Sequence, residues 1–288
     1  ALVAVPLAVL LVIVAIIAYQ SVQDVRAAKL THELTELALA TNSFSGAMQR
    51  ERSQTLTILR NPGDAEGRAK LKELQNASDG RLSILKTVLE RTSGKYPSKD
   101  IDVAAARVDD ALEWVPNIRQ ATGSGRNPET VLRTFTPVFE GLAALSDTVT
   151  QGLSYNTRDQ RTADGAATLS ALTQVAAAAA EERDILTLAL TDRSLSTARY
   201  YDLIKLNTLQ VQRLDVAEER ATPGQRKNLL FIRGDDTRLD LFRRDATGLL
   251  QFSLGRAEVA PGDPESFSQT AGSRLTDIDT LVHVDADI

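Results

Sequence analysis

The sequence predicts an all-α fold, and three observations carry that prediction. Apolar residues recur at steps of three and four along most of the chain, the spacing of one face of an α-helix. No stretch of any length alternates apolar and polar residues as a half-buried strand would. Pro, Gly, Asn and Asp cluster between the periodic segments, where they end one helix and cap the next. Short loops between long helices make neighbours antiparallel, as in helix bundles.

Residues 1–19, ALVAVPLAVLLVIVAIIAY, carry no charge. As a helix they span about 28 Å, close to the thickness of a hydrocarbon core. The run passes straight into Gln20-Ser21-Val22-Gln23-Asp24 without the short apolar core and small-residue cleavage site of a signal peptide. Residues 1–20 therefore read as a retained transmembrane helix. The chain starts without Met, so upstream residues are expected, and orienting the span by its flanking charges would need them.

Residues 21–60 read as one continuous helix with Leu30, Leu34, Leu37, Phe44 and Met48 on one face. It stops at Asn61-Pro62-Gly63, and Asp64 caps a second helix that runs to about Thr92 through Leu71, Leu74, Leu82, Leu85 and Leu89. Asp100 starts a third helix through Val103, Val108, Leu112 and Val115, with Pro116 as a kink point and Trp114 as a packing residue. Asn127-Pro128-Glu129 is a cap followed by Pro at the first helical position, and that fourth helix runs to about Asn156 with a kink point at Pro137.

A helix from about Asp159 to Leu190 opens the second half. Its run Ala176 to Ala180 reads as strong helix propensity, with a close helix contact as the alternative. After a break near Asp192 to Ser196 another helix runs to about Arg220. Thr222 then caps a helix with Pro223 at its first position and Leu229, Leu230 and Phe231 following. Gly234-Asp235-Asp236 reads as a cap or bend, since two carboxylates without a third ligand are a poor metal loop. The helix resumes over 237–251, residues 252–262 are irregular, and Asp263-Pro264-Glu265 caps a last helix through Phe267, Leu275, Ile278 and Leu281. A second membrane crossing just beyond Ile288 fits that ending. The expected domains are 1–20 and 21–288, the latter with halves 21–156 and 157–288 of about four helices each.

The two halves share a pattern. Met48-Gln49-Arg50-Glu51-Arg52-Ser53 leads into the aliphatic run to Leu59, and Ala180-Glu181-Glu182-Arg183-Asp184 leads into the run to Leu190. The apolar stripe of the first helix lands on Arg52 four residues after Met48. Leu172, Ala176, Ala179, Arg183, Leu186 and Leu190 form the second stripe, with Arg183 inside it. Both arginines point toward a core, and a guanidinium taken out of water needs a partner. One reading gives it a carboxylate: Glu51, Glu182 or Asp184. The other has two helices converging their arginines on a small planar anion, for which the guanidinium fork is suited.

Composition excludes several classes. The net charge of -5 argues against a nucleic-acid partner. With no cysteine, disulfides, thiolate metal sites and a cysteine nucleophile are ruled out. The two histidines, His32 and His283, lie near opposite ends, which disfavours a His-based metal site or triad. Adjacent acids such as Asp109-Asp110 and Asp235-Asp236 diverge by about 100° on a helix and are better explained as solvated faces than as a catalytic pair. No cofactor, metal or catalytic residue is expected in this region.

Gln49-Arg50-Glu51-Arg52 after an apolar helix resembles the first hallmark of the NIT domain, the nitrate- and nitrite-sensing domain of bacterial receptors, and Glu181-Glu182-Arg183 resembles the second. Ala221-Thr222-Pro223-Gly224-Gln225-Arg226 and Asp263-Pro264-Glu265-Ser266-Phe267-Ser268-Gln269-Thr270-Ala271 resemble its later parts, with Phe267 where Trp is expected. The resemblance covers most of residues 25–288. It implies two packed antiparallel four-helix bundles after the transmembrane helix, lying outside the cytoplasm and anchored in the cell membrane. It also implies a sensor region that feeds a histidine kinase (the expected output here), a chemoreceptor or a cyclic-nucleotide enzyme, soluble antiterminator versions also existing, and that forms a homodimer and binds nitrate or nitrite. Arg52 and Arg183 match the implied anion site best. Arg50 is a neighbour about 160° round from Arg52, and Arg243 or Arg244 would be a third helix's contribution. The alternative is a helical structural, dimerisation or protein-interaction module with no small ligand, its arginines tied to carboxylates.

Overall fold

The computed structural model describes residues 4–92, 94, 99–123, 127–156 and 160–227, together with residues 229, 230, 233, 243, 244, 248 and 250; of residues 4–27 and 121–123 only the backbone is described. The described chain is all-helical, in the order α1 (Ala4–Arg60), α2 (Ala65–Thr92), α3 (Asp100–Leu112), α4 (Val115–Gly123), α5 (Pro128–Asn156), α6 (Gln160–Asp192) and α7 (Thr197–Arg220). The transmembrane expectation for 1–20 rests on side chains outside the described residues. Among the described residues no helix is long and apolar enough to cross a membrane. The readings for Gly234-Asp235-Asp236, for 252–262 and for the last helix also fall outside them.

Local chemistry sets the helix ends. Asp64 Oδ1 accepts from the backbone N–H of Gly67 at 2.8 Å and so caps α2. The side chain that capping Asp presents leaves no room at position 67: a Cβ there would lie 2.4 Å from Asp64 Oδ2 and 2.7 Å from Ile58 Cδ1, so Gly67 permits the α1–α2 turn. Asn127 Oδ1 accepts from the Glu129 N–H at 2.8 Å ahead of α5, and Ser196 caps α7 through the Arg199 N–H. Thr222 and Gln225 bond reciprocally, side chain to backbone, in a capping box over 223–227. At the end of α6, Arg193 takes φ 49° and the Ser194 N–H reaches back to the Ala189 carbonyl at 3.0 Å, a Schellman close without the usual glycine.

Helices α1, α2, α3–α4 and α5 form one four-helix bundle. Its core joins Leu34, Leu37, Phe44 and Met48 of α1 with Leu85 and Leu89 of α2, Val108 of α3, Ile118 of α4 and Phe135, Val138, Leu142 and Leu145 of α5. α6 folds back on α5, with Ser146 and Ser170 hydroxyls 3.2 Å apart. It runs beside α1 in the same direction, since Arg52 meets Asp184 and Arg60 meets Thr187. A second apolar cluster (Leu56, Leu132, Ile185, Leu186, Leu190 and Leu203) joins this bundle to α6 and α7. A third pairs Val175 and Ala179 of α6 with Leu214 and Ala217 of α7 and with Leu229.

Three readings change. The third helix does not continue through Val115: it ends at Leu112, and α4 starts after two intervening residues with Pro116 in its first turn, where a missing N–H costs nothing. Trp114 sits at that junction and is 56% exposed, so it is not a packing residue. The alanine run is more than propensity: Ala178, Ala179 and Ala180 are buried. Ala179 lies in the α6–α7 contact, where small side chains let two helices approach. Pro137 lies inside α5, which stays helical on both sides of it.

Candidate functional site

Residues 50–53 of α1 point in successive directions about 100° apart, and each finds a different environment. Glu51 turns into the first bundle. Its carboxylate accepts from Arg119 Nε at 2.8 Å and Nη2 at 3.0 Å and from the Ser78 hydroxyl. Arg119 also donates to Asp79 at 2.8 Å. Burial works against the Arg119 charge, but Glu51 and Asp79 outweigh it and raise the guanidinium above its ordinary value.

Arg52 turns the other way, toward α6. It is 2% exposed, and its Nε donates to Asp184 Oδ2 at 2.8 Å. Nη1 lies 3.7 Å from Glu181 Oε2, and the guanidinium carbon sits 4.7 Å from the centroid of the Phe139 ring of α5, a cation–π contact. Nη2 is buried and has no hydrogen-bond partner among the described residues. The other oxygen of Asp184 accepts from Arg183 Nη2 at 3.1 Å and from Ser53 Oγ at 3.0 Å, and Arg183 Nη2 also donates to Ser53 Oγ. One buried carboxylate thus serves both arginines, one on each oxygen.

On the far side of α6, Glu182 is buried and accepts from Arg243 Nε at 2.7 Å and Nη2 at 3.1 Å, and from Gln210 Nε2 at 2.7 Å. Three of the expected arginines, Arg52, Arg183 and Arg243, therefore gather on the 181–184 turn of α6, each in contact with a carboxylate. Arg244 is exposed and no described contact joins it to this cluster. Arg50 is exposed, opposite in facing to Arg52, and lines the cleft described next.

That cleft, about 610 Å³, opens between α1, α2 and α6. Its charged lining is Arg50, Arg60, Lys70, Arg183 and Asp184; Arg52 lies behind it and is not part of the lining. Arg60 donates to the Thr187 carbonyl at 3.3 Å. Burial pushes its guanidinium below the ordinary value, with Asp192 acting in the opposite sense. On a chain of net charge -5 this concentration of cations is a local reversal. Among the described residues no group of three His, Cys, Asp or Glu side chains is placed to hold a metal ion.

Sequence reasoning named Asp184 as an acceptor for the arginines but missed Ser53, Phe139 and Arg119. Ser53 was adjacent to the motif and one helical step from Arg52. Phe139 and Arg119 had no local signal, because packing brings them in from α5 and α4.

The arrangement is thus an all-helical region with one buried and two half-buried arginines gathered on one turn of α6. The family model for nitrate and nitrite sensing, NIT, matches residues 44–283, and the chain belongs to that family. This region is therefore a nitrate- and nitrite-sensing domain rather than an enzyme. A solved structure, that of the NasR transcription antiterminator, superposes with a TM-score of 0.78 at 16% identity, over 96% of this chain and 72% of that one, which shows a shared fold. No curated protein matches the chain.

Proposed function

We propose that this chain is the sensing region of a membrane signal-transduction receptor and that it binds nitrate or nitrite where Arg52 of α1 meets Arg183 of α6. The observation that carries this reading is the buried Arg52 Nη2, which has no hydrogen-bond partner among the described residues although its guanidinium shares a carboxylate with Arg183. A buried N–H left unmade costs about 1–3 kcal/mol. A planar anion at this seam would satisfy it and would accept in-plane bonds from both forks. Arg243, held bidentate by Glu182, belongs to the supporting layer in this reading.

Binding would then draw on the α1–α6 seam, and α1 offers a path for the signal: it is one helix of 57 residues. We assign it a relay role, with residues 1–20 crossing the cell membrane, residues 21–288 outside the cytoplasm, the protein acting as a homodimer, and an output such as a histidine kinase beyond this sequence. The apolar, uncharged run at 1–19 supports the membrane assignment.

The test is calorimetric titration of residues 21–288 with nitrate, nitrite and chloride at fixed ionic strength. Saturable binding of nitrate or nitrite beyond chloride, lost in Arg52→Ala and in Arg183→Ala, is the expected result. A folded helical protein that binds none of them removes this reading. It would favour the second one, a helical interaction module, for which the present observation is that Arg52, Arg183 and Arg243 each already contact a carboxylate.

A further inference from the structure

Asp184 holds two arginines from different helices at once. Its Oδ2 takes Arg52 Nε, and its Oδ1 takes Arg183 Nη2 and Ser53 Oγ. A carboxylate and a nitrate ion are alike in the features that matter here. Both are planar, carry one negative charge and present an edge of two oxygens to in-plane donors. The donors around Asp184 are therefore already spaced for a two-oxygen planar edge. Asp184 also lines the cleft from which Arg52 is excluded. The cleft between α1, α2 and α6 is lined by Ser53, Arg183 and Asp184, whereas Arg52 is 2% exposed and does not line it. An anion arriving past Arg50, Arg60 and Lys70 meets Asp184 before it can touch Arg52.

We propose that Asp184 is the internal stand-in for the anion: it holds Arg52, Arg183 and Ser53 in the geometry of a planar oxyanion, and nitrate or nitrite binds by displacing its carboxylate from them. This inference rests on the reading that Arg52 and Arg183 bind the anion, and it adds two site residues, Asp184 as competitor and Ser53 as a hydroxyl donor. It accounts for how a site built on the buried Arg52 and the half-buried Arg183 is kept folded when empty, since an unpaired buried charge is strongly destabilising. It also gives the sensor a threshold, because the affinity measured is the difference between binding the external anion and releasing the internal one.

The experiment is calorimetric titration of the detergent-solubilised full 288-residue chain with nitrate and chloride, Asp184→Asn beside the unsubstituted protein, with thermal melts of both in nitrate and in chloride. Asn keeps the size and the planar edge but removes the competing charge. Nitrate affinity is expected to rise at least tenfold, and nitrate is expected to raise the Tm of Asp184→Asn by more than it raises that of the unsubstituted protein. If Asp184→Asn is unfolded without anion, recovery of its helical signal and a cooperative melt in nitrate but not chloride supports the proposal equally. Ser53→Ala, which keeps both arginines and Asp184, is expected to weaken nitrate binding severalfold in the Asp184→Asn background. Nitrate binding by the unsubstituted protein that is lost in Arg52→Ala but is not strengthened in Asp184→Asn overturns the stand-in role and leaves the site reading intact. An equal gain for chloride overturns the matching of a planar edge. Absence of binding in both proteins overturns the site reading and this inference with it.

Discussion

Four neighbours on α1 divide the work of one motif. Arg50 faces solvent, Glu51 faces the first bundle, Arg52 faces α6, and Ser53 reaches the same α6 carboxylate from the next position round the helix. The charges are not paired with each other, as their adjacency in sequence would suggest. Glu51 is satisfied from 68 residues away by Arg119, and Arg52 from 132 residues away by Asp184. The Glu51 network is a structural anchor rather than a ligand site: the carboxylate is almost fully enclosed, and Arg119 and Ser78 occupy both of its oxygens. Removing Arg119 would leave that carboxylate buried with a single hydroxyl. Arg119→Ala should therefore destabilise the fold by about 3–5 kcal/mol, the cost of breaking one partner from a buried pair. Urea unfolding followed by circular dichroism reads this directly, and a loss below about 1 kcal/mol would show that the Arg119 network is not a structural anchor. That Arg52 and Arg183 lie at a core face was legible from their helical steps. Which acid they would share was not: Arg183 finds Asp184 beside it on α6, but Arg52 finds the same carboxylate only through packing across 132 residues.

At the scale of elements, the helix boundaries were the most readable feature. Caps act over two or three residues, so Asp64, Asn127 and Thr222 announced the starts of their helices in the sequence alone, whereas the Ser196 cap emerged only in the structure. What failed was the assignment of faces where a helix is short and broken. Trp114 follows the break after Leu112, and with no continuous helical register the apolar period no longer says which way a side chain turns. The end of α6 was read as a break without a mechanism, and the structure supplies one. Arg193 stands in the left-handed region at φ 49°, where a Schellman close usually places glycine. A residue with a Cβ pays roughly 1–2 kcal/mol there, partly offset in glycine by greater freedom when unfolded. Arg193→Gly is thus expected to stabilise the protein by about 0.5–1 kcal/mol. Thermal melts of the two proteins side by side check it, and an unchanged or lowered Tm would mean that the Arg193 side chain makes a compensating contact.

At the scale of the molecule, the seam between α1 and α6 is where the anion reading meets the signalling reading. Apolar contacts of Leu56 with the α6 cluster hold one end of the seam, and the charged group at Arg52, Arg183 and Asp184 holds its middle. On the proposed reading, exchanging the internal carboxylate for an external anion changes the polar contacts of this seam and leaves the apolar ones in place, the kind of change that biases a packed interface between two arrangements. α1 is unbroken from the seam back through the first bundle, so no hinge interrupts it on that side of Arg52. The proposed helix shift has a measurable form. The chain has no cysteine, so spin labels can be placed uniquely at His32→Cys on α1 and Tyr201→Cys on α7, both exposed positions, the latter on the helix packed against α6. Saturating nitrate should change the modal distance between these labels by about 1–2 Å, the scale of helix shifts at subunit interfaces. The same change should be absent in Arg52→Ala and absent with chloride. A distance that stays fixed while calorimetry reports saturated nitrate binding would separate recognition from the α1 relay and would place the signal in the elements that follow α7.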